Sequence, residues 1–302
     1  ITLERRKVRG ELSDGMILAE DEVDLGTDHA GIMLLPDGTE PGTPLADVLP
    51  LADDVLLLES TGNRPDLQSI YGIAREIATL YDLPLADMSG GQSPGPVPSG
   101  QVSIRIEDPV GCPRYIGRLF EGVTLAPSPV WLKARLLAAG VRSISNVVDV
   151  TNYVMLALGS PLHAFDSTTL RGGTIVVRRA RAGEKLRTLD GVERELVAAD
   201  LVIADEERAV ALAGIMGGEE TEIGASTTTV LLEAANFEPY TLFKTSERLR
   251  LLTEASGRWE KGVDPYRAEP AADRVSRLLL DLTGARWTAA RMTARPISLA
   301  SA

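Results

Sequence analysis

The stretch MSGGQSPGPVPSGQ, residues 88–101, sets the first limit on what this chain can fold into. Glycine, proline and serine fill it and apolar residues are nearly absent, so it has nothing to bury in a core. It is read as a linker with folded material on either side. A chain of 302 residues has room for two such bodies, since domains run mostly to roughly 100–200 residues. Before the linker, residues 1–50 read as short strands broken by turns (SDGM, LGTDHAG, LPDGTEPG). In NRPDLQSIYGIAREIATLYDLPL, Leu67, Ile70, Ile73, Ala74, Ile77 and Leu80 recur at helical spacing. Asn63 or Asp66 is the expected cap of that helix, with Pro65 in its first turn and Pro84 closing it.

After the linker, VSIRIED and YIGRLFEGVTL read as strands. SPVWLKARLLAAG reads as a helix capped by Ser128 and stopped by Gly140, and a second helix is expected from about Asn146 to Leu158. TIVVRRA is a strand, KLRTLDGVEREL a hairpin about Asp190-Gly191, DLVIADEERAVALAGIMGG another hairpin, and TTVLLEAANF a further strand. Two helices follow, near 239–251 and 266–282. Strands and helices do not alternate regularly, which gives an α+β fold rather than a doubly wound parallel sheet. No internal repeat is visible.

Composition excludes several functions. The net charge of −12 and pI near 4.8 argue against wrapping nucleic acid broadly, because phosphate contacts need clustered Lys and Arg. The basic runs RRKVR at 5–9, RRAR at 178–181 and the Arg-rich stretch 248–258 read as solvated faces, though contact with one end of an RNA is compatible with this charge. The single cysteine, Cys112, cannot form an internal disulfide or a cysteine-based zinc site and reads as a buried thiol. With only two histidines, His29 and His163, a histidine-rich metal site is excluded. No run is long and apolar enough for a membrane span, and ITLERRKVRG is no secretory signal. That start reads as mid-domain sequence, so a fragment of something larger is expected. There is no Gly-rich phosphate loop, paired-histidine zinc helix or Gly-x-Ser-x-Gly elbow. A Ser–His–Asp triad using His163 and Asp166 stays open, although no serine has a nucleophile context.

What remains is a set of short motifs: TNY at 151–153, PLHAFD at 161–166, AGIMGG at 213–218, LLEAANF at 231–237 and TEASGRWEKGVDP at 253–265. Each has a plain alternative. Asn152 in an apolar helix can bind a carbonyl, His163 beside a proline can be a packing residue, and AGIMGG can be a hairpin turn. Glu233 is the lone charge in a run otherwise apolar from Val230 to Ala235; periodicity allows it equally to face water. In order and together, the motifs resemble the beta subunit of bacterial phenylalanyl-tRNA synthetase, specifically its editing region.

That resemblance implies a mixed-sheet editing domain over 102–290. Ahead of it would lie the end of a tRNA-binding-type oligonucleotide-fold insert (1–45), a helix-containing part of the N-terminal domain (46–87) and the linker. A tail at 291–302 would lead to further domains. It also implies hydrolysis of mischarged Tyr-tRNA(Phe). An apolar phenylalanine pocket rejects an added hydroxyl by only about a hundredfold, whereas a site built to bind that hydroxyl rejects phenylalanine by about 10⁴–10⁵. Glu233 would read the tyrosine hydroxyl. His163 and Asn152 would act at the ester and its water, with Thr151 and Arg142 beside them. Gly214 and Gly217 would form a backbone wall, and Thr253 and Ala255 would shape the amino-acid pocket.

The sequence departs from the family at Arg258-Trp259-Glu260-Lys261-Gly262, where Arg-Phe-Glu-Arg-Gly is usual. No cofactor is expected in this segment; ATP and Mg2+ would serve the parent synthetase elsewhere. The implied partners are the tRNA(Phe) acceptor end, the tyrosine moiety and an alpha subunit in an α2β2 assembly, in the cytoplasm and away from membranes. A non-catalytic RNA- or partner-binding module of the same synthetase is the alternative.

Overall fold

Two apolar runs rich in β-branched and aromatic residues, YIGRLF and TVLLEAAN, form long paired strands, as such residues favour. The computed structural model describes residues 5–23, 25–26, 29, 31–35, 37–49, 53–88, 95–96 and 103–294. In chain order the helices are α1 (Leu45–Val48), α2 (Ile70–Tyr81), α3 (Val130–Ala138), α4 (Asn146–Leu158), α5 (Pro239–Leu249), α6 (Glu254–Lys261) and α7 (Ala268–Thr283). The strands are β1 (Arg6–Val8), β2 (Glu11–Ser13), β3 (Ser103–Ile106), β4 (Arg114–Glu121), β5 (Leu162–Asp166), β6 (Thr174–Arg179) and β7 (Lys185–Arg187). They continue with β8 (Glu193–Glu195), β9 (Leu201–Ala204), β10 (Ala209–Leu212), β11 (Met216–Gly217), β12 (Thr229–Asn236) and β13 (Arg286–Ala294).

The chain groups into two compact units, Ile1–Leu57 with Ser128–Ile144, and Leu58–Pro127 with Ser145–Ala302. This grouping differs from the division by composition. Residues 128–144 join the first unit because Ala134 and Val130 pack with Leu25 and Leu49, and because Lys133 pairs with Glu20. Residues 58–88 join the second, where Ser69 accepts a hydrogen bond from the buried Arg267. Most of the 88–101 segment and all of 295–302 lie outside the described residues, and the domain expected to end at 290 continues in a strand that runs to Ala294. Within the first unit only β1 and β2 are strands among the described residues, paired across Arg9-Gly10 with both residues at positive φ. Most of the rest is turns, as its Gly, Pro and Asp content favours.

The second unit is α+β. One sheet has the order β13-β4-β12-β5 and is antiparallel throughout; the other has the order β11-β10-β9-β6-β3, with β3 and β6 parallel and the remaining pairs antiparallel. Strand alternation divides the first sheet's side chains between two faces. Tyr115, Leu119, Phe165, Leu231 and Ala235 pack on Ile175, Val177, Ile203 and Val210 of the second sheet. From the opposite face Arg118 reaches Ser276 and Asp273 of α7. Helix α4 packs against α7 and so lies in that helical layer.

Several local expectations change. Ser69, not Asn63 or Asp66, caps α2 by accepting from Gly72 N, because Pro65–Leu67 forms a separate 3-10 turn and Asp66 is taken up by Arg64 and Arg75. Helix α3 begins after Pro129 with no side-chain cap in place of the expected Ser128. Helix α4 spans the expected residues, and Gly159 ends it at φ 73. The segment after it, to which no element was assigned from sequence, is the strand β5, which pairs with β12. Helix α6 and strand β13 were not anticipated.

Asn146 anchors α4. Buried at its first turn, it accepts from Ala126 N and donates to the carbonyls of Thr124 and Leu282. Replacing Asn146 with Ala strands these groups and should cost roughly 2–4 kcal/mol, read by urea denaturation.

Candidate active site between two sheets

Glu233 lies at the middle of β12, where its register neighbours are His163 on β5 and Gly117 on β4. All three occupy the face turned toward the second sheet. Glu233 is buried, and the Tyr115 hydroxyl donates to its Oε2 at 2.9 Å. Its other oxygen, Oε1, accepts no hydrogen bond among the described residues.

In front of Glu233 is a cavity of about 190 Å³. His163 and Glu233 form one side, Ile203, Ala211 and Leu212 the back, and Ala255 and Trp259 of α6 another wall. The turn Gly214–Gly217 and Leu189, from the β7–β8 loop, complete it. An engineered cavity of about 150 Å³ accepts benzene, so this volume suits one aromatic side chain. Glycine is required at two of its walls. A Cβ at Gly214, whose φ is +66, would lie 2.5 Å from Leu242 Cδ2 and 2.9 Å from the Trp259 ring, and one at Gly217 would lie 2.6 Å from His163 Cε1.

The structure thus brings together Glu233, His163, Gly214, Gly217 and Ala255. It does not bring Thr253, Thr151 or Asn152 to the cavity. Thr253 caps α6 in a capping box with Ser256 and donates to Ile215 O at 3.1 Å, tying the helix to the turn. Thr151 is buried in α4 and donates to Val148 O, and Asn152 is half-buried on the same helix. Arg142 is exposed and belongs to the first unit. The cavity expected beside α4 is walled by β5 and α6 instead, because α4 lies on the other side of the sheet. No triad forms from Asp166 and His163. The two point to opposite faces of β5, and Asp166 accepts from Thr168 and Thr227. Sequence reasoning missed Tyr115, Leu189 and Trp259 at this site. A buried tyrosine hydroxyl needs a partner, and a lone acid on another strand was the available signal; the register that joins them was not visible.

Burial sets the electrostatics. It pushes the Glu233 carboxyl up to about 8, against the lowering effect of the Tyr115 hydrogen bond. Burial also pushes His163 down to about 4. Between those values both side chains are neutral, so the cavity carries no charge near pH 6. His163 makes no hydrogen bond through its ring nitrogens among the described residues, and its ring meets Phe165 edge-on with centroids 4.5 Å apart.

This site sits inside a recognised domain. The chain belongs to the B3/4 domain family, which matches residues 111–284. Over nearly its whole length it is also similar to phenylalanine–tRNA ligase beta subunits. It is 47% identical to that of Anaeromyxobacter dehalogenans across 99% of this chain and 38% of the relative. With that of Moorella thermoacetica it shares 47% across 96% of this chain and 37% of the relative. The chain therefore spans little more than a third of the length of these curated relatives. A solved N-terminal fragment of the phenylalanyl-tRNA synthetase beta-subunit from Pyrococcus horikoshii aligns at 16% identity with a TM-score of 0.45, covering 80% of this chain and 70% of that one. Among the described residues no helix is long and apolar enough to cross a membrane.

The raised carboxyl makes stability depend on pH. Glu233 has an ordinary value of 4.5 and a folded value near 8. Below 4.5 it is protonated in both states; as pH rises to 8 the unfolded chain ionises first, and stability is lost across that window. Glu233→Gln removes the loss, so the variant should gain on the parent by on the order of 3 kcal/mol between pH 5 and pH 8. His163 acts with the opposite sign: its stabilising contribution is complete above 6.5 and lost as pH falls toward 4. Thermal melts of parent and variant across pH 4–9 check the Glu233 window.

Proposed function

We propose that this chain is the editing region of a phenylalanine–tRNA ligase beta subunit and hydrolyses the ester of tyrosine mischarged onto tRNA(Phe). One observation carries the reading. A single buried carboxyl turns an unpartnered oxygen into an otherwise apolar cavity the size of an aromatic ring, beside a histidine whose nitrogens are unengaged. A tyrosine hydroxyl donating to Glu233 Oε1 would supply the missing partner and favour the ionised carboxylate. Phenylalanine would leave that oxygen stranded, the condition that separates such substrates by about 10⁴–10⁵. A purely structural or RNA-presenting module leaves a buried, half-satisfied acid without a use.

Ester hydrolysis needs a placed water and a stabilised oxyanion. His163 is neutral at pH 7, so a ring nitrogen can accept from a water and aim it at the ester carbon. With burial holding it near 4, it is a weak base, and positioning the water is the role that suits it; the terminal ribose hydroxyl of the tRNA can assist. Gly214 and Gly217 let the backbone approach the ligand, and Ala255 leaves room for the ring. Thr253 acts by holding the turn. Thr151 and Asn152 are given no part in tyrosine recognition, since neither lines the cavity. The reading places the tRNA(Phe) acceptor end at the cavity mouth and an alpha subunit in an α2β2 assembly with the whole protein, in the cytoplasm. ATP and Mg2+ would serve aminoacylation outside this chain; among the described residues no cluster of His, Cys, Asp or Glu could hold a metal.

In the reassembled synthetase, Glu233→Ala should weaken binding of the tyrosyl moiety by roughly 1.5–3 kcal/mol, with discrimination against phenylalanine shrinking alongside. Single-turnover deacylation of Tyr-tRNA(Phe) reads both, and unchanged discrimination would remove Glu233 as the reader. His163→Ala should slow the saturated step by about 10²-fold while leaving affinity nearly intact. Ala255→Trp should block binding by filling the cavity. Equal losses of affinity in these last two variants would make His163 a wall rather than a catalytic residue.

A further inference from the structure

Resting on that reading of Glu233, we infer that Tyr115 is a positioning residue for tyrosine recognition, its hydroxyl fixing Glu233 Oε2 so that Oε1 alone meets the incoming phenol. Tyr115 has no exposed surface and does not line the cavity, so it acts only through Glu233. The geometry that joins them is a diagonal across β4 and β12. Tyr115 stands opposite Ala235, and Glu233 opposite Gly117. The small partners at both places leave a lane along which the ring and the carboxyl meet on one face. The Tyr115 ring is packed in the inter-sheet core, and its hydroxyl donates at 2.9 Å. A long glutamate side chain is thereby held in one orientation before a ligand arrives, which lowers the ordering cost of binding. The hydroxyl also stabilises the carboxylate, the form that accepts from a phenol.

The titratable groups facing Glu233 are few. Tyr115 comes from β4, His163 from β5, and Cys112 from the segment before β4. The 214–217 turn and the cavity face of α6 (Ala255, Trp259) contribute none. Burial keeps the Cys112 thiol and the Tyr115 phenol protonated well above their ordinary ranges, and His163 is neutral above about 4. The pH dependence of ligand recognition between pH 5 and 9 therefore belongs to Glu233. Without the Tyr115 hydroxyl, Glu233 stays protonated to higher pH.

The test uses the reassembled synthetase and single-turnover deacylation of Tyr-tRNA(Phe) at varied enzyme concentration from pH 5.5 to 9, with Phe-tRNA(Phe) for comparison. Tyr115→Phe should raise the half-saturating concentration about fivefold to tenfold. It should leave the saturated rate nearly unchanged and move the acid limb of the pH profile to higher pH. Added to Glu233→Gln, it should change selectivity no further, because the residue acts through that carboxyl; an additive loss would mark a packing role and overturn the inference. A Tyr115→Phe profile superimposable on the parent's, beside a Glu233→Gln variant that loses selectivity, would also overturn it while leaving the Glu233 reading in place. Unchanged selectivity in both single variants would overturn the inference together with the reading of Glu233 as the tyrosine reader.

Discussion

Burial of the Glu233 carboxyl between two apolar sheets is the constraint around which the rest of the site is arranged. An ionised carboxylate there would cost several kcal/mol, and the group responds by staying protonated to about pH 8 and by accepting from Tyr115. The hydrogen bond from Tyr115 leaves Oε1 without a protein partner among the described residues. Evolutionarily cheaper solutions exist for a core strand, since a leucine would fill this position without a partner. A polar group kept half-satisfied in such a place makes sense when a ligand completes it, and on the proposed reading it would favour ligands that carry a donor at that point.

The surrounding backbone then sets size. Trp259 and Leu242 press on Gly214, and His163 presses on Gly217, so the turn cannot carry side chains and its main chain itself forms the wall. Thr253 joins this turn to the start of α6 through Ile215 O, while Ala255, two residues on, faces the cavity. Helix and turn are thus registered to each other by one hydroxyl. Arginines in two of the basic runs are paired locally: Arg178 with Glu184, Arg179 with Asp108 and Arg258 with Glu254.

The parts of this architecture that were legible in the sequence are those written in local pattern. Helix α4 could be delimited from its apolar period and from Gly159, and β12 from an apolar run with strand-forming residues. Glu233 stood out because it broke that run. Other features depended on partners far away in the chain. β5 showed no strand pattern because Pro161 and His163 interrupt it, and only pairing with β12 makes it a strand. Helix α6 is short and polar, with a capping box in Thr253-x-x-Ser256 as its only local mark. Asn152 and Thr151 sit close to His163 in sequence, yet the sheet places helix and strand side chains on opposite faces, and no local signal states which face a following strand will present.

On the proposed reading, size and chemistry act separately at this cavity, and that separation accounts for strong discrimination by a small site. Removing a hydroxyl from a ligand changes its volume little, so walls such as Ala255 and Gly214 cannot tell tyrosine from phenylalanine; a steric sieve is worth only about 1–3 kcal/mol per methylene-sized difference. Those walls instead exclude larger side chains. On the proposed editing reading, discrimination between the two aromatic residues falls to the Glu233 oxygen, which a bound ring would cover and whose unmet hydrogen bond would then be costly. A ring seated in the inter-sheet cavity would exclude water from that oxygen, and the Tyr115 hydroxyl would hold its direction. Either one alone would give a weaker filter: an exposed acid would find water when phenylalanine bound, and a mobile one could turn away from the empty space.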